Sequence, residues 1–157
     1  MFKNKYFSLV LFILICYLAA FLGSIATFSS VSSWYTTINK PTFSPPNWIF
    51  GPVWTTLYTL MGISMWIIYL EKEKINIKNQ SFFFFIQLFF NSIWSYLFFY
   101  LKNPLYGLID IIFLWILILL TIISFWKVNK KAAILLIPYI LWVSFAGFLN
   151  FMIWKLN

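Results

Sequence analysis

The chain has 157 residues, of which 63% are hydrophobic, 24% aromatic and only 9% charged. Its formal net charge is +8, and lysine is its only basic residue. Soluble domains are about one quarter charged, so this composition excludes an ordinary soluble domain and indicates a chain embedded in a lipid bilayer. With no histidine and a single cysteine, Cys16, the chain cannot build a His/Cys zinc site, a His-ligated haem site or a Ser-His-Asp triad, and we expect no cofactor or metal.

Five apolar stretches approach the roughly 20 residues that cross a hydrocarbon core of about 30 Å. Backbone polar groups must be satisfied internally in hydrocarbon, and no alternating strand pattern appears, so each stretch is predicted to be a helix. We therefore expect an all-α membrane protein, a five-transmembrane-helix bundle formed by residues 1–157 as one domain. The predicted spans are 6–28, 47–70, 81–101, 104–126 and 132–154.

The first predicted span carries a ridge of small residues. Ala19, Gly23 and Thr27 recur at i, i+4 and i+8, a spacing that lets helices approach closely in lipid. A cleaved signal peptide is the alternative, because lysines precede the apolar run and residues 24–26 resemble a cleavage site. The run is longer than the usual stretch of about 7–15 apolar residues, which favours a retained helix.

The second predicted span follows a Pro-rich loop and has three aromatic residues on one face. Phe50, Trp54 and Tyr58 stand at i, i+4 and i+8, so they line up along one side of a helix. Pro52 lies in the first two turns of this span, as Pro138 does in the fifth. Each proline either bends its helix or is tolerated near the helix start.

The third predicted span carries a polar line of Gln87, Asn91 and Ser95, with Trp94 beside it. Amides in hydrocarbon must face protein or a cavity, so this face is expected to point into the bundle. Two interpretations stay open at this point. The line either makes interhelical hydrogen bonds alone or also forms one wall of a ligand cavity.

The fourth predicted span contains Asp110, the one ionisable residue within a span. An intramembrane acid indicates a functional site by default. At this depth the carboxylate is also near enough to the interface, or to Lys102, for a structural role. A proton-driven pump that depends on one carboxylate is not expected.

The fifth predicted span repeats the spacing of the second, with Trp142, Ala146 and Asn150 in line. The small Ala146 next to the indole leaves room for a ring. Packing explains any single interior tryptophan, whereas four on four different helices favour a shared aromatic pocket. Those four are Trp54, Trp94, Trp115 and Trp142.

The lysines predict an orientation. By the positive-inside rule, the side with more lysines is cytoplasmic, which puts the N-terminus inside and the long first loop outside. We expect an integral, multi-pass protein of the cell membrane. The cytoplasmic side holds Lys3, Lys5, Lys72, Lys74, Lys78, Lys127, Lys130 and Lys131, against Lys40, Lys102 and Lys155 outside.

Residues 40–54, KPTFSPPNWIFGPVW, resemble the signature of the TspO/MBR family, the tryptophan-rich sensory proteins and translocator proteins. The match continues through the rest of the chain in order, with the same five-span layout. Further matching positions are Trp34-Tyr35, Asn91, Trp94-Ser95, Asp110, Ile137-Pro138-Tyr139, Trp142, Ala146, Asn150 and Trp154.

This resemblance implies a five-helix bundle, usually a homodimer, that binds porphyrins and isoquinoline- or benzodiazepine-type ligands in a pocket closed by the first loop. Trp54 and Trp142 match tryptophans implicated in light-dependent porphyrin breakdown by bacterial members, so they are the catalytic candidates if that activity holds. Together with the residues that the spacing selects, the predicted binding set is Trp34, Tyr35, Phe50, Trp54, Tyr58, Asn91, Trp94, Trp142, Ala146 and Asn150.

Three positions depart from the family pattern. Phe151 stands where the sterol-recognition segment of animal members has a tyrosine, and Lys155 replaces its arginine, so sterol binding through this segment is not expected. Gly147 replaces the more usual hydroxyl residue after Ala146.

Three classes of function remain open from the sequence. The first is a membrane sensor or translocator that binds a tetrapyrrole in an apolar slot. The second is an enzyme that degrades porphyrin through tryptophan radical chemistry, since no general base or metal site is at hand for other catalysis. The third is a structural or chaperone-like membrane partner.

Overall fold

A computed structural model describes residues 5–157 of the chain, and these residues form helices and no strands. Five helical segments are long and apolar enough to cross a membrane, which confirms the five predicted spans. Lys3, which contributes to the orientation argument, lies outside the described residues. The helices are α1 (Lys5–Val31), α2 (Trp34–Thr37), α3 (Asn47–Leu70), α4 (Lys78–Ser95), a π-helical turn (Tyr96–Tyr100), α5 (Pro104–Trp126), α6 (Lys130–Leu135) and α7 (Ile137–Leu156).

The helices form a closed ring in which α1 packs between α3 and α4, α5 packs between α4 and α7, and α6 closes the ring against α3. The small-residue ridge of α1 explains one of these contacts. A Cβ on Gly23 would lie 3.2 Å from Ser95 Oγ, and Ser92 Oγ donates to the Ala19 carbonyl at 3.1 Å. The ridge therefore brings α1 and α4 close together, as its spacing predicted.

The two ends of the bundle differ in packing. The α6 end, where α6 and the first half of α1 lie, is densely filled around Met61, Met65, Phe84 and Phe125, which are at most 1% exposed. Here α1 and α3 nearly touch, since a Cβ on Gly62 would lie 2.8 Å from Ile13 Cα. The opposite end, which we call the α2 end, contains α2, the π-helical turn and the last turns of α7, and a cavity opens there.

The two prolines have different effects. The fifth span is broken at Leu136, between α6 and α7, and Pro138 lacks the N–H that would continue the helix onto the Ile134 carbonyl. Pro52 lies inside α3 without interrupting it. Pro138 therefore accompanies a break, whereas Pro52 is accommodated.

Three local features were not predicted. Helix α1 continues to Val31, beyond the predicted end at residue 28, and the short α2 follows it within the first loop. The third span ends in a π-helical turn at Tyr96–Tyr100. Such turns occur mostly as single turns and often near functional sites, and this one faces the cavity.

Candidate ligand-binding site

A cavity of about 440 Å³ lies within the α2 end of the bundle, lined by α1, α2, α3, α4, the π-helical turn and α7. This volume is in the range of about 300–1,000 Å³ that small-molecule sites occupy. No charged side chain belongs to the described lining. The site is therefore suited to an apolar ligand.

Aromatic rings from three spans form the walls and brace one another. The ring centroids of Phe50 and Trp142 lie 6.0 Å apart in an edge-to-face arrangement, which joins α3 to α7. The Trp54 ring is 5.6 Å from that of Tyr58 and 6.4 Å from that of Tyr139. Such ring pairs contribute about 0.5–1.5 kcal/mol beyond simple burial, so the walls hold their shape without a ligand.

A chain of hydrogen bonds runs from the cavity wall into the core. Tyr58 Oη donates to Asn91 Oδ1, Asn91 Nδ2 donates to Tyr139 Oη at 2.7 Å, and Tyr139 Oη donates to Gln87 Oε1 at 2.9 Å. Tyr58 and Asn91 line the cavity, whereas Tyr139 and Gln87 lie behind it. The polar line on α4 thus takes both roles that the sequence left open: it bonds across helices and also forms cavity wall.

Asn150 fixes a second wall. Its Oδ1 accepts from Trp94 Nε1 at 3.1 Å, and its Nδ2 donates to the Pro104 carbonyl at 2.7 Å. Gly107 makes room for this amide, because a Cβ there would lie 2.9 Å from Asn150 Oδ1 and 3.0 Å from Phe98 Cβ.

The short helix α2 contributes Tyr35 to the lining of the cavity. Its ring packs edge-on against Phe98 and Phe99, with centroids 6.3 and 5.5 Å away. Lys40 Nζ donates to the Tyr35 carbonyl at 2.6 Å and lies 4.6 Å from the ring centroid. Burial raises the pKa of the Tyr35 phenol above its usual value, so this residue is neutral at physiological pH.

The first loop is fastened to the end of α7 by three hydrogen bonds. Asn39 N–H donates to Asn157 Oδ1 at 2.9 Å, and Asn157 Nδ2 donates to the Asn39 carbonyl at 2.9 Å. Asn39 Nδ2 also donates to the Leu156 carbonyl at 3.2 Å. The loop that covers the cavity is thus held in place.

Nine of the ten predicted binding residues line this one cavity, and the exception is Trp34. The Trp34 ring packs edge-on against Phe98 at 5.6 Å, on the far side of the wall. The nine are Tyr35, Phe50, Trp54, Tyr58, Asn91, Trp94, Trp142, Ala146 and Asn150.

The prediction that four interior tryptophans share a pocket is wrong for Trp115. Trp115 is 36% exposed, and its Nε1 donates to Ser144 Oγ at 2.8 Å on the neighbouring α7. It therefore lies on the outside of the α5–α7 contact and does not line the cavity.

The sequence interpretation missed the contribution of α1 and of the π-helical turn to the cavity. The small-residue ridge was the available signal for α1, since some of its members both approach α4 and leave space beside α3. The missed lining residues include Ala20, Gly23, Ser24, Thr27, Gly51, Thr55, Phe98 and Phe99.

Asp110 is buried within the helix bundle. It is 4% exposed, does not line the cavity, and has no lysine within ion-pair distance among the described residues. Its Oδ2 also lacks a hydrogen-bond partner there. The described part of the chain holds no group of three or more His, Cys, Asp or Glu residues that could bind a metal ion.

Comparisons with known proteins agree with this architecture. The sequence profile of the TspO/MBR family matches residues 12–155. The tryptophan-rich protein TspO of Chlorobaculum tepidum is 45% identical, over 99% of each chain. TspO of Archaeoglobus fulgidus is 49% identical over 87% of this chain and 88% of its own, and the translocator protein of Bos taurus is 34% identical over 93% and 88%.

Proposed function

The chain belongs to the TspO/MBR family and is an integral, multi-pass membrane protein of the sensor and translocator type, and from this premise we propose that it binds a porphyrin or a similar flat apolar ligand in the cavity at the α2 end. The ligand stacks on the indoles and is oriented by a few polar groups. The protein either senses this binding event or couples it to movement of the ligand.

One observation carries the proposal. Trp54, Trp94 and Trp142 come from three different spans and line the same cavity. A flat ring gains from each of these contacts, at about 0.5–1.5 kcal/mol per aromatic pair beyond burial. The polar groups that line the site are largely bonded to each other, as with Tyr58 and Asn91, which favours a ligand with few polar groups of its own.

We expect the carboxylates of a bound porphyrin to lie on the side of the cavity next to the covering loop. No lysine within residues 5–157 lines the cavity itself, but Lys40 Nζ contacts Tyr35, which does line it. We therefore assign the porphyrin ring to the aromatic slot and its propionates to the side of the covering loop.

A second candidate function is light-dependent porphyrin breakdown. It is favoured by Trp54, whose indole packs 5.6 Å from the ring of Tyr58 and 6.4 Å from that of Tyr139. Trp54 and Tyr58 adjoin the ligand space, and the oxidisable ring of Tyr139 lies behind them. In this candidate Trp54 and Trp142 are the reacting residues.

We also propose a homodimer whose N-termini are cytoplasmic. The lysine bias favours a cytoplasmic N-terminus in the cell membrane. The family resemblance favours a homodimer, with the lipid bilayer and the ligand as the other partners. Neither rests on the cavity.

Incubating the purified protein with protoporphyrin IX, in the dark and in light, tests both functions. Quenching of tryptophan fluorescence reports binding, and porphyrin absorbance reports loss. If the protein only binds, Trp142→Phe changes affinity modestly, because a phenyl ring still stacks. If it degrades porphyrin, the same change slows the light-dependent loss far more than it weakens binding.

The controls separate the outcomes. Equal porphyrin loss by wild type, Trp54→Phe, Trp142→Phe and protein-free detergent would exclude the enzyme. Absence of binding in the dark by folded wild type would exclude the tetrapyrrole proposal and leave a structural role.

A further inference from the structure

The cavity has an opening on one side, between the halves of α1 and α3 that lie at the α2 end. Gly51 and Thr55 of α3 line the cavity and are exposed. A Cβ added to Gly51 would meet no atom within 4 Å. Ser24 and Thr27 of α1 also line the cavity and are half-exposed. We call these four residues the lateral opening.

The two helices are close together at the α6 end and separate toward the α2 end. Gly62 and Ile13 bring the backbones into contact near the α6 end. Further along, Tyr17 Oη and Thr59 Oγ1 share a hydrogen bond of 2.8 Å across the two helices. Beyond this bond, α1 and α3 line the cavity with the small residues of the lateral opening, together with Phe28, which is 80% exposed.

The hydroxyl groups at the lateral opening are already bonded within their own helices. Ser24 Oγ donates to the Phe21 carbonyl at 2.7 Å, Thr27 Oγ1 to that of Gly23 at 3.3 Å, and Thr55 Oγ1 to that of Gly51 at 2.9 Å. Their donors are therefore not offered to whatever lies between α1 and α3. An opening lined this way costs an apolar molecule little desolvation of protein groups.

Side-chain contacts bridge the other sides of the cavity. Phe50 and Trp142 meet between α3 and α7, and Ser92 bonds to the Ala19 carbonyl between α4 and α1. The covering loop is fastened by the Asn39–Asn157 hydrogen bonds. A ligand that entered from water past this loop would have to break those bonds, whereas one that entered from lipid between α1 and α3 would not.

We propose that the ligand enters and leaves the cavity sideways, from the bilayer, through the lateral opening between α1 and α3. This inference rests on the proposed function, because it takes the occupant to be a flat apolar molecule that dissolves in lipid. The covering loop stays in place during exchange, and the width of the lateral opening sets the rate.

The test compares exchange kinetics in variants reconstituted in phospholipid nanodiscs. Protoporphyrin IX is mixed in, and quenching of tryptophan fluorescence is followed by stopped flow. Gly51→Leu and Thr55→Leu place a branched side chain in the lateral opening. Thr56→Leu is the matched control, because Thr56 is exposed on the same helix, one residue further, and does not line the cavity.

We expect association and dissociation to slow together in Gly51→Leu and in Thr55→Leu, each by about tenfold, because a barrier raised by about 1.4 kcal/mol acts on both directions. Thr56→Leu keeps the wild-type rates. Unchanged rates in both opening variants would overturn the proposal, as would faster dissociation, which indicates lost binding contacts. Faster association in Asn157→Ala would likewise overturn it, since release of the loop would then open the path.

A ligand-independent measurement separates this inference from the proposed function. Wild type that fails to bind porphyrin overturns the proposed function alone. The lateral opening is then tested with phospholipid brominated in its acyl chains, whose bromine atoms quench tryptophans within reach. Less quenching in Gly51→Leu than in Thr56→Leu supports the opening, and equal quenching overturns it.

Discussion

Asn150 holds the indole of Trp94 in place from the opposite side of the bundle. Its Oδ1 accepts the indole N–H at 3.1 Å while its Nδ2 is bonded to the Pro104 carbonyl at 2.7 Å. One amide therefore joins α4, the start of α5 and α7. Asn150 itself is only 1% exposed, so its amide is committed to these two protein partners.

Asn150→Leu should consequently destabilise the protein and loosen Trp94. Removing the amide deprives the Trp94 indole N–H of its partner, at about 1–3 kcal/mol for a buried donor, and removes the bond that ties Asn150 to the Pro104 carbonyl. Thermal denaturation in detergent measures the loss, and Asn79→Leu, at an exposed position of α4, is the control. Equal stability of the two variants would contradict the assigned role.

Ala146→Phe should abolish porphyrin binding while the helices remain folded. Ala146 lines the cavity one turn from Trp142, so the phenyl ring takes up the space of the ligand. Titration with protoporphyrin IX measures affinity, and circular dichroism measures folding. The control is Leu141→Phe, which adds a ring at a residue that is 64% exposed. Wild-type affinity in folded Ala146→Phe would assign the ligand to another site.

Gly107→Ala should destabilise the bundle more than Gly147→Ala does. The added Cβ would lie 2.9 Å from Asn150 Oδ1 at position 107, but no closer than 3.7 Å to Ile111 at position 147. Overpacking of this kind costs about 1–3 kcal/mol, whereas the contact at 147 is an ordinary one. Melting temperatures in the same detergent compare the two. A Gly147→Ala protein that melts lower than Gly107→Ala would refute the reasoning.

Lys40→Gln should weaken binding of protoporphyrin IX by about two- to fivefold, because an exposed charge contributes modestly. The dimethyl ester of the same porphyrin lacks carboxylates, so its affinity should not change. Raising the salt concentration should reduce the difference between wild type and variant. An equal loss for acid and ester would show that Lys40 acts through the position of Tyr35 and not through charge.

The lysine bias predicts that a reporter joined after Asn157 through a flexible linker lies on the non-cytoplasmic face. A phosphatase that is active only outside the cytoplasm, and a fluorescent protein that folds only inside it, give opposite readouts. Phosphatase activity without fluorescence is the expected result. The reverse would put the covering loop on the cytoplasmic side.

The sequence was sufficient to predict the five spans, since a long apolar run has few alternatives in lipid. It was also sufficient for residues such as Trp54 and Asn91, where a polar or aromatic line selects one helix face. It was not sufficient for Trp115, because lipid is as apolar as a protein interior and periodicity does not distinguish the two. The π-helical turn and the α1 wall depend on how neighbouring helices pack.

The break at Leu136 divides the fifth span into two segments with different surroundings. Helix α6 is anchored, with Ala132 and Ala133 fully buried and the Ala132 carbonyl bonded to Ser64 Oγ at 2.7 Å. Helix α7 carries Trp142 and the other residues of this span that line the cavity. Because the backbone ladder is interrupted between them, the direction of α7 is not dictated by α6, so the wall that carries Trp142 is oriented by its own contacts with α3, α4 and α5.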